Sequence, residues 1–304
     1  MCFFVLSWRI ATSVQGEKPY YCMIKRILFP TDFSDTAQNA FRHCLMLAKQ
    51  LEASVTLLHA IYPEYETMDL PVMAAKATKD KVAAARIALQ SFRDFGIAAL
   101  QQRHAVDALP DIELDVEIGG AVSVITTIAR RDAAELIVMG TQGQHNVMER
   151  AFGSVTTGVV ERADCPVLVI PEKADYQEAR IAAYATDLQE GDSVHLRAAA
   201  PVLEAYHPIL FIVHIQTDGE GQPSFDVEAV EERFAQQLPV LQVQVHSIRE
   251  ETVEEGLAAF VEDHAVDLLI MFAPQHTLLE RIFRRSNTRR MALQSHVPLL
   301  LIKQ

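Results

Sequence analysis

The sequence predicts an α/β chain made of two tandem copies of one Rossmann-like domain, each a parallel sheet with helices on both faces. Three observations predict it. Strand-like apolar runs alternate with amphipathic stretches along the whole chain, the pattern of βαβ units. Short segments of the first half recur in the second half in the same order. The 304 residues are about twice the ~150 of a typical single domain.

In the first half the strand candidates are Arg26–Pro30, Val55–Ala60, Ile112–Ile118, Leu136–Gly140 and Pro166–Ile170. Each is a short, strand-like apolar run bounded by polar or turn residues. Helical spacing predicts helices over Asp35–Leu51, Val72–Val106, Val122–Arg131 and Ser154–Arg162. Pro110, within Asp107–Asp111, ends the longest of these.

The second half repeats the pattern. Pro30–Ser34 (PTDFS) has a counterpart in Ala185–Gln189 (ATDLQ), and a histidine follows each aspartate by 27 residues, His59 after Asp32 and His214 after Asp187. ELIVM at 135–139 matches DLLIM at 267–271, and CPVLVI at 165–170 matches VPLLLI at 297–302. A period near 150 makes each copy a domain and excludes a solenoid. His59 to Met139 spans 80 residues and His214 to Met271 only 57, so the second copy is shorter around the long second helix. The expected organisation is a disordered or misassigned N-terminal extension at 1–22, a first domain at 23–171, a polar linker at 172–178 and a second domain at 179–304.

Composition narrows the function classes. The net charge of −13, from 27 basic and 40 acidic residues, argues against bulk nucleic-acid binding, which needs cationic surface. Cys2, Cys22, Cys44 and Cys165 have no CxxC spacing and no histidines at zinc-finger intervals, pointing to reduced thiols, no metal site and a cytoplasmic setting. No apolar run reaches the roughly 18 residues of a membrane helix. The opening MCFFVLSW lacks a basic leader and a cleavage site, and Arg9 interrupts it. Met23, one residue before the first ordered pattern, is the expected functional start.

After LIVM the first copy reads Gly140-Thr-Gln-Gly143, then nine residues, then Gly153-Ser154. This is neither the dinucleotide G-x-G-x-x-G nor a P-loop. Glycines just past a strand end nevertheless let backbone N–H groups approach an anion, and Gly153-Ser154 opens a helix whose dipole favours one. Ser154 can donate to a phosphate or cap the helix. Asp32 follows the first strand, where open α/β sheets place ligands, and can accept from ribose hydroxyls or cap the next helix, a role Ser34 also fits.

Taken together, ILFPTDFS, LLHAI, LIVMGTQG, FGSVTTGVVERADCPVLVIP and the spacing G-x2-G-x9-G-S resemble the universal stress protein family across both halves. The resemblance implies a five-stranded parallel sheet of order 3-2-1-4-5 in each domain, related to the adenine nucleotide α-hydrolase folds. It implies a nucleotide site made of Pro30, Thr31, Asp32, Ala60, Gly140, Gly143, Gly153, Ser154, Val155 and Thr156, with Asp32 and the backbone near Ala60 at the adenosine and the glycines at the phosphates. The implied ligand is ATP or another adenine nucleotide, with or without Mg2+, bound in a stress-response protein that hydrolyses it slowly or not at all. A weak ATP hydrolase and a nucleotide-free dimerisation scaffold are the alternatives, and PTDFSDT lacks the SGGxDS-like loop of the family's pyrophosphatase relatives. The last strands of the two domains are expected to pair with each other as an intramolecular pseudo-dimer, with a homodimer as a further step.

The second copy departs from the motif. Gly140, Gly143 and Gly153 become Phe272, Gln275 and Arg285, Pro274 follows, and Asp187 and Ser286 remain, so this copy is expected to be structural or to bind something else. His59 and His214 read as packed, hydrogen-bonded histidines, and His145 and Glu149 as a solvated loop. Arg281, Arg284, Arg285, Arg289 and Arg290 read as a charged face, able to pair with Glu250, Glu251, Glu254 and Glu255, or as an anion site.

Overall fold

The computed structural model describes residues 23–62, 71–103, 108–141, 153–189, 191–217, 226–272 and 296–303. The first half runs β1 (Arg26–Pro30), α1 (Asp35–Leu51), β2 (Ser54–Ile61), α2 (Pro71–Arg103), β3 (Ile112–Ile118), α3 (Ala121–Arg131), β4 (Leu136–Gly140), α4 (Ser154–Arg162) and β5 (Val167–Ile170). The second half runs β6 (Ile181–Ala185), α5 (Asp192–His195), a 3-10 turn (Leu196–Ala199), α6 (Ala200–Tyr206), β7 (Ile209–Gln216), α7 (Val227–Gln237), β8 (Val243–Arg249), α8 (Val253–Asp263), β9 (Leu268–Phe272) and β10 (Leu299–Ile302).

All ten strands form one sheet of order β3-β2-β1-β4-β5-β10-β9-β6-β7-β8. Each half therefore has the order 3-2-1-4-5, parallel throughout. The halves join where β5 and β10 pair antiparallel, Leu299 opposite Val169 and Leu301 opposite Val167. The last strand of each half thus covers the other's edge, which would otherwise offer unpaired N–H and C=O groups to any extended chain.

The residue alternation of the strands divides the interior into two apolar layers. Ile27, Phe29, Leu168, Ile170, Leu300 and Ile302 belong to one, and Leu28, Val167, Val169, Leu299 and Leu301 to the other. Each layer runs through both halves. The two copies are separate in sequence but share their cores across the β5–β10 seam.

α1 is fixed at both ends: the Ser34 hydroxyl accepts from the Ala37 N–H (3.1 Å), and Glu52 closes the helix in the left-handed region at φ 51°. Its buried face carries Ala37, Ala40, Phe41, Cys44, Leu45 and Ala48, the spacing of an amphipathic helix. From the same helix, Asn39 donates to the carbonyls of Pro171 (3.1 Å) and Ala174 (2.8 Å), and His43 Nε2 donates to Ala174 (3.0 Å). Four residues apart, these side chains share a helix face and pin the inter-domain linker to the first domain.

The counterpart of α1 is not one helix. Pro201 lies in the first turn of α6, where its missing N–H is harmless, and its ring forbids an uninterrupted helix through this stretch. The chain breaks there into α5, the 3-10 turn and α6. α2 spans 33 residues and its second-half counterpart α7 only 11, which places most of the length difference between the copies on this helix. Of the cysteines, Cys44 is buried and Cys165 half-buried; burial pushes the Cys44 thiol up, and burial with Asp164 lifts Cys165 to about 11. Neither is a reactive thiolate at neutral pH. Cys2, Cys22 and the 1–22 extension lie outside the described residues.

Candidate functional site

In the first half, β1 and β4 are adjacent, so the turn after β1 and the chain leaving β4 meet at the point where strand order reverses. The turn begins with Pro30, the last residue of β1, and buried Thr31, whose N–H donates to Leu58 (2.8 Å). The Thr31 hydroxyl accepts from the Phe33 N–H (3.0 Å), and Phe33 sits in the left-handed region at φ 66°. For a non-glycine residue that conformation costs about 1–2 kcal/mol. It is offset by the Phe33 ring packing on His59, with centroids 4.4 Å apart, and on Phe92. His59 Nδ1 donates to the Thr31 carbonyl (2.8 Å) and holds the turn from β2.

This turn presents Asp32 as an exposed side chain. One carboxylate oxygen accepts from both the Ser34 N–H (3.1 Å) and the Ser34 hydroxyl (2.7 Å). Ser34, not Asp32, caps α1. Ala60, on β2 opposite Glu117, is partly buried against the second apolar layer.

Across the crevice, Gly140 ends β4. A β-carbon there would lie 2.9 Å from Thr36 Cγ2 and 3.4 Å from the Thr36 backbone, so the missing side chain lets the first turn of α1 close against β4. Gly140 thus serves helix–strand packing, a role that sequence alone does not separate from close approach of a ligand. We expect Gly140→Ala to cost about 2 kcal/mol through overpacking. The same change in a Thr36→Ser background, which lacks the clashing methyl, should cost less than half as much. Chemical denaturation of the four proteins of this double-mutant cycle measures both values.

The chain re-enters at Gly153, whose N–H donates to the Thr141 carbonyl (2.8 Å). Gly153 is the N-cap of α4 and makes no side-chain cap, so exposed Ser154 is the first helical residue. Of the two roles open to Ser154, capping the helix is therefore not used. Val155 packs partly against the second apolar layer, and the hydroxyl of buried Thr156 donates to the Gly140 carbonyl (3.0 Å). These bonds fasten the N-terminus of α4 to the end of β4. The structure therefore brings Pro30, Thr31, Asp32, Gly140, Gly153, Ser154, Val155 and Thr156 to one crevice mouth. Gly143, His145 and Glu149 lie outside the described residues.

The second half repeats the turn with a different floor. Leu188, after Asp187, also has a left-handed φ (59°), its N–H donates to the Thr186 hydroxyl (2.9 Å), and His214 Nδ1 donates to the Thr186 carbonyl (3.1 Å). Both histidines do the structural work expected of them. Opposite the turn, Phe272 stands where the first copy has Gly140, and its ring stacks on His195 at 3.8 Å and 11°. Buried Asp192, one residue after Gly191, accepts from the Thr186 hydroxyl and from the Gln189 N–H (2.9 Å). Counted from the paired aspartates, Asp192 and His195 replace Ala37 and Ala40, and Gly191 replaces Thr36. Small and large residues have exchanged sides of the crevice. Sequence comparison of the copies registers the lost glycines and misses the gained carboxylate and imidazole. Pro274, Gln275, Arg285, Ser286 and the rest of the arginine cluster lie outside the described residues.

Among the described residues no cluster of three or more potential metal ligands occurs, and no helix is long and apolar enough to cross a membrane.

The universal stress protein family model matches residues 23–171 and again residues 179–303. Universal stress protein MJ0577 of Methanocaldococcus jannaschii is 29% identical over 162 residues, covering 50% of this chain and 97% of that protein. Universal stress protein MJ0531 of the same organism is 27% identical over 169 residues, covering 54% of this chain and 91% of that protein. Among solved structures, a universal stress protein from Archaeoglobus fulgidus aligns over 93% of this chain and 99% of its own, with a TM-score of 0.65 at 15% identity, a likeness of fold. The single-copy relatives match about half of this chain, while the Archaeoglobus fold spans nearly all of it. With the family's pattern matched twice and the ten-stranded sheet divided into two halves of equal strand order, the chain belongs to the universal stress protein family as a tandem, two-domain member.

Proposed function

We propose that the chain is a cytoplasmic stress-response protein that binds ATP, or another adenine nucleotide, in its first domain and uses occupancy as a regulatory signal with slow or no hydrolysis. The observation that carries this reading is the crevice at the first domain's switch point. There the Asp32 turn faces the end of β4, and the Thr156–Gly140 and Gly153–Thr141 bonds hold the N-terminus of α4 beside it. An exposed carboxylate suits ribose hydroxyls or an adenine amino group, and a helix N-terminus suits a phosphate. The family's G-x2-G-x9-G-S spacing adds Gly143 to the phosphate side.

The test is to identify the nucleotide that co-purifies with the chain and follow its turnover over hours. Retained, unconverted ATP supports the proposal, and many turnovers support the hydrolase reading. In thermal melts, ATP at about a hundred times its Kd should stabilise the chain by about 2.7 kcal/mol. Gly143→Val should abolish that shift, and an unchanged ATP affinity in this variant would remove the assigned phosphate side. One observation favours the scaffold alternative: Gly140 has a packing role sufficient to account for it. An empty crevice with no shift in millimolar ATP would select that reading. Further association of the chain into a homodimer is measured by sedimentation with and without ATP.

A further inference from the structure

We infer that the crevice of the second domain is a separate ligand site, built for a small protonated amine carried on an apolar or aromatic body. The crevice is a cavity of about 310 Å³ at the carboxyl ends of β6, β7 and β9, bounded by α5 and α8. It occupies the position where open α/β sheets bind ligands, but its chemistry is the reverse of a phosphate site.

Two carboxylates, exposed Asp187 and buried Asp192, lie on its polar side, and no lysine or arginine lines it among the described residues. One oxygen of Asp192 is taken by the Thr186 hydroxyl and the Gln189 N–H; the other lies 3.8 Å from His195 Nδ1, beyond hydrogen-bonding reach. His195 Nδ1 is itself buried without a hydrogen-bond partner, an unmet polar group at the cavity wall. Burial raises the Asp192 carboxyl above the usual carboxylate range and the Asp187 carboxylate adds to the shift, against the opposing hydrogen bond from Thr186. Asp187 and Asp192 line the same half-enclosed cavity, where a protonated amine can pair with both carboxyl groups.

The rest of the wall selects the body of the ligand. Val213, Ile215, Leu257 and Met271 are buried and apolar, and the Phe272–His195 stack gives a flat aromatic surface. A protonated amine can donate to both carboxylates at one end while an aryl or alkyl group displaces water from this wall at the other. Anions are disfavoured twice, by the carboxylates and by the bulk of Phe272 where the first copy has glycine. The proposal does not rest on nucleotide binding in the first domain.

Isothermal titration of the full chain with tryptamine, indole-3-ethanol and indole-3-acetate tests it, since the three share a ring and differ in head-group charge. One tryptamine per chain should bind, and the neutral alcohol and the acid should each bind at least about tenfold more weakly. Asp187→Asn, at an exposed position, should weaken tryptamine by about tenfold, and Val253→Trp, at the cavity wall, should block it. Saturating ATP and the Gly143→Val substitution should leave tryptamine binding unchanged, so failure of either site is seen separately. No binding at millimolar tryptamine, equal or tighter binding of indole-3-acetate, or an undiminished affinity in Asp187→Asn would each overturn the inference.

Discussion

Urea unfolding of the full chain is expected to show a loss of about 3 kcal/mol between about pH 7 and pH 4 that is absent from a His43→Gln variant. His43 is buried on α1, and burial holds its imidazole down to about 4, with the Ala174 carbonyl opposing the shift and the Arg42 cation adding to it. Its Nε2–H is committed to Ala174, and its ring meets the edge of Tyr176, so the native linker is built around a neutral histidine. The folded value lies below the ordinary 6.5 of the unfolded chain. The unfolded state therefore binds more protons between those two values, and stability rises with pH across that window. The contribution is complete above about pH 6.5 and gone by about pH 4. Glutamine keeps a donor for Ala174 and cannot be protonated. The difference between the two pH profiles isolates His43 from His246, which burial and His264 also hold down. Parallel profiles would mean that His43 takes up its proton without loosening the linker.

That contact shows where sequence reading reaches and where it stops. The strands were legible because the central ones are apolar on both faces while the outer β3 and β8 alternate apolar with polar residues, and the duplication because the second copy keeps the order of every strand. The β5–β10 pairing follows from two short, fully buried strands that would otherwise form edges. The Asn39–His43 clamp was not legible, because its partners are backbone carbonyls of the linker, more than a hundred residues away, and a carbonyl carries no residue identity. Histidine and asparagine on a helix face read as ordinary solvated positions until the fold buries them.

The candidate site divides in the same way. The Asp32 turn was readable from its place after β1 and from its repetition at Asp187, since a local backbone conformation depends on neighbouring residues. The role of Gly140 was only half readable. A glycine marks close approach, but whether a helix or a ligand makes that approach is decided by Thr36, far away in sequence. Motif comparison counts deletions, so from sequence the second crevice is expected only to be structural or to bind something other than a nucleotide. Its new chemistry arises from Asp192, His195 and Phe272, which lie on elements separated by most of the second domain. Pro201 was visible in the sequence; that the broken helix would bring an acid and an imidazole to the crevice was not.

Truncating Leu300 should unfold both halves together. Leu300 lies in β10 between Leu168 of β5 and Ile270 of β9, fully buried in the apolar layer that also holds Phe29 and Phe41 of the first half and Tyr184 and Phe234 of the second. Leu300→Ala leaves a cavity at the seam, with an expected cost of about 3 kcal/mol. If the halves were independent domains, the loss would fall on the second alone, because β10 belongs to it by sequence. The shared layers predict otherwise: a single unfolding transition in both proteins, shifted to lower denaturant in the variant. Native-state hydrogen exchange gives the sharper reading. Amides of β1 and β6, one in each half, should lose protection by the same free energy when exchange is limited by global opening. Protection that falls in β6 but stays unchanged in β1 would show that the seam transmits no stability. The β5–β10 pairing would then only hold two separately folded copies side by side, and the linker clamp at His43 would be a local contact. Equal losses would make the seam the place where two copies of one domain became a single cooperative protein, free to let the crevice of one copy change while the other keeps its glycines.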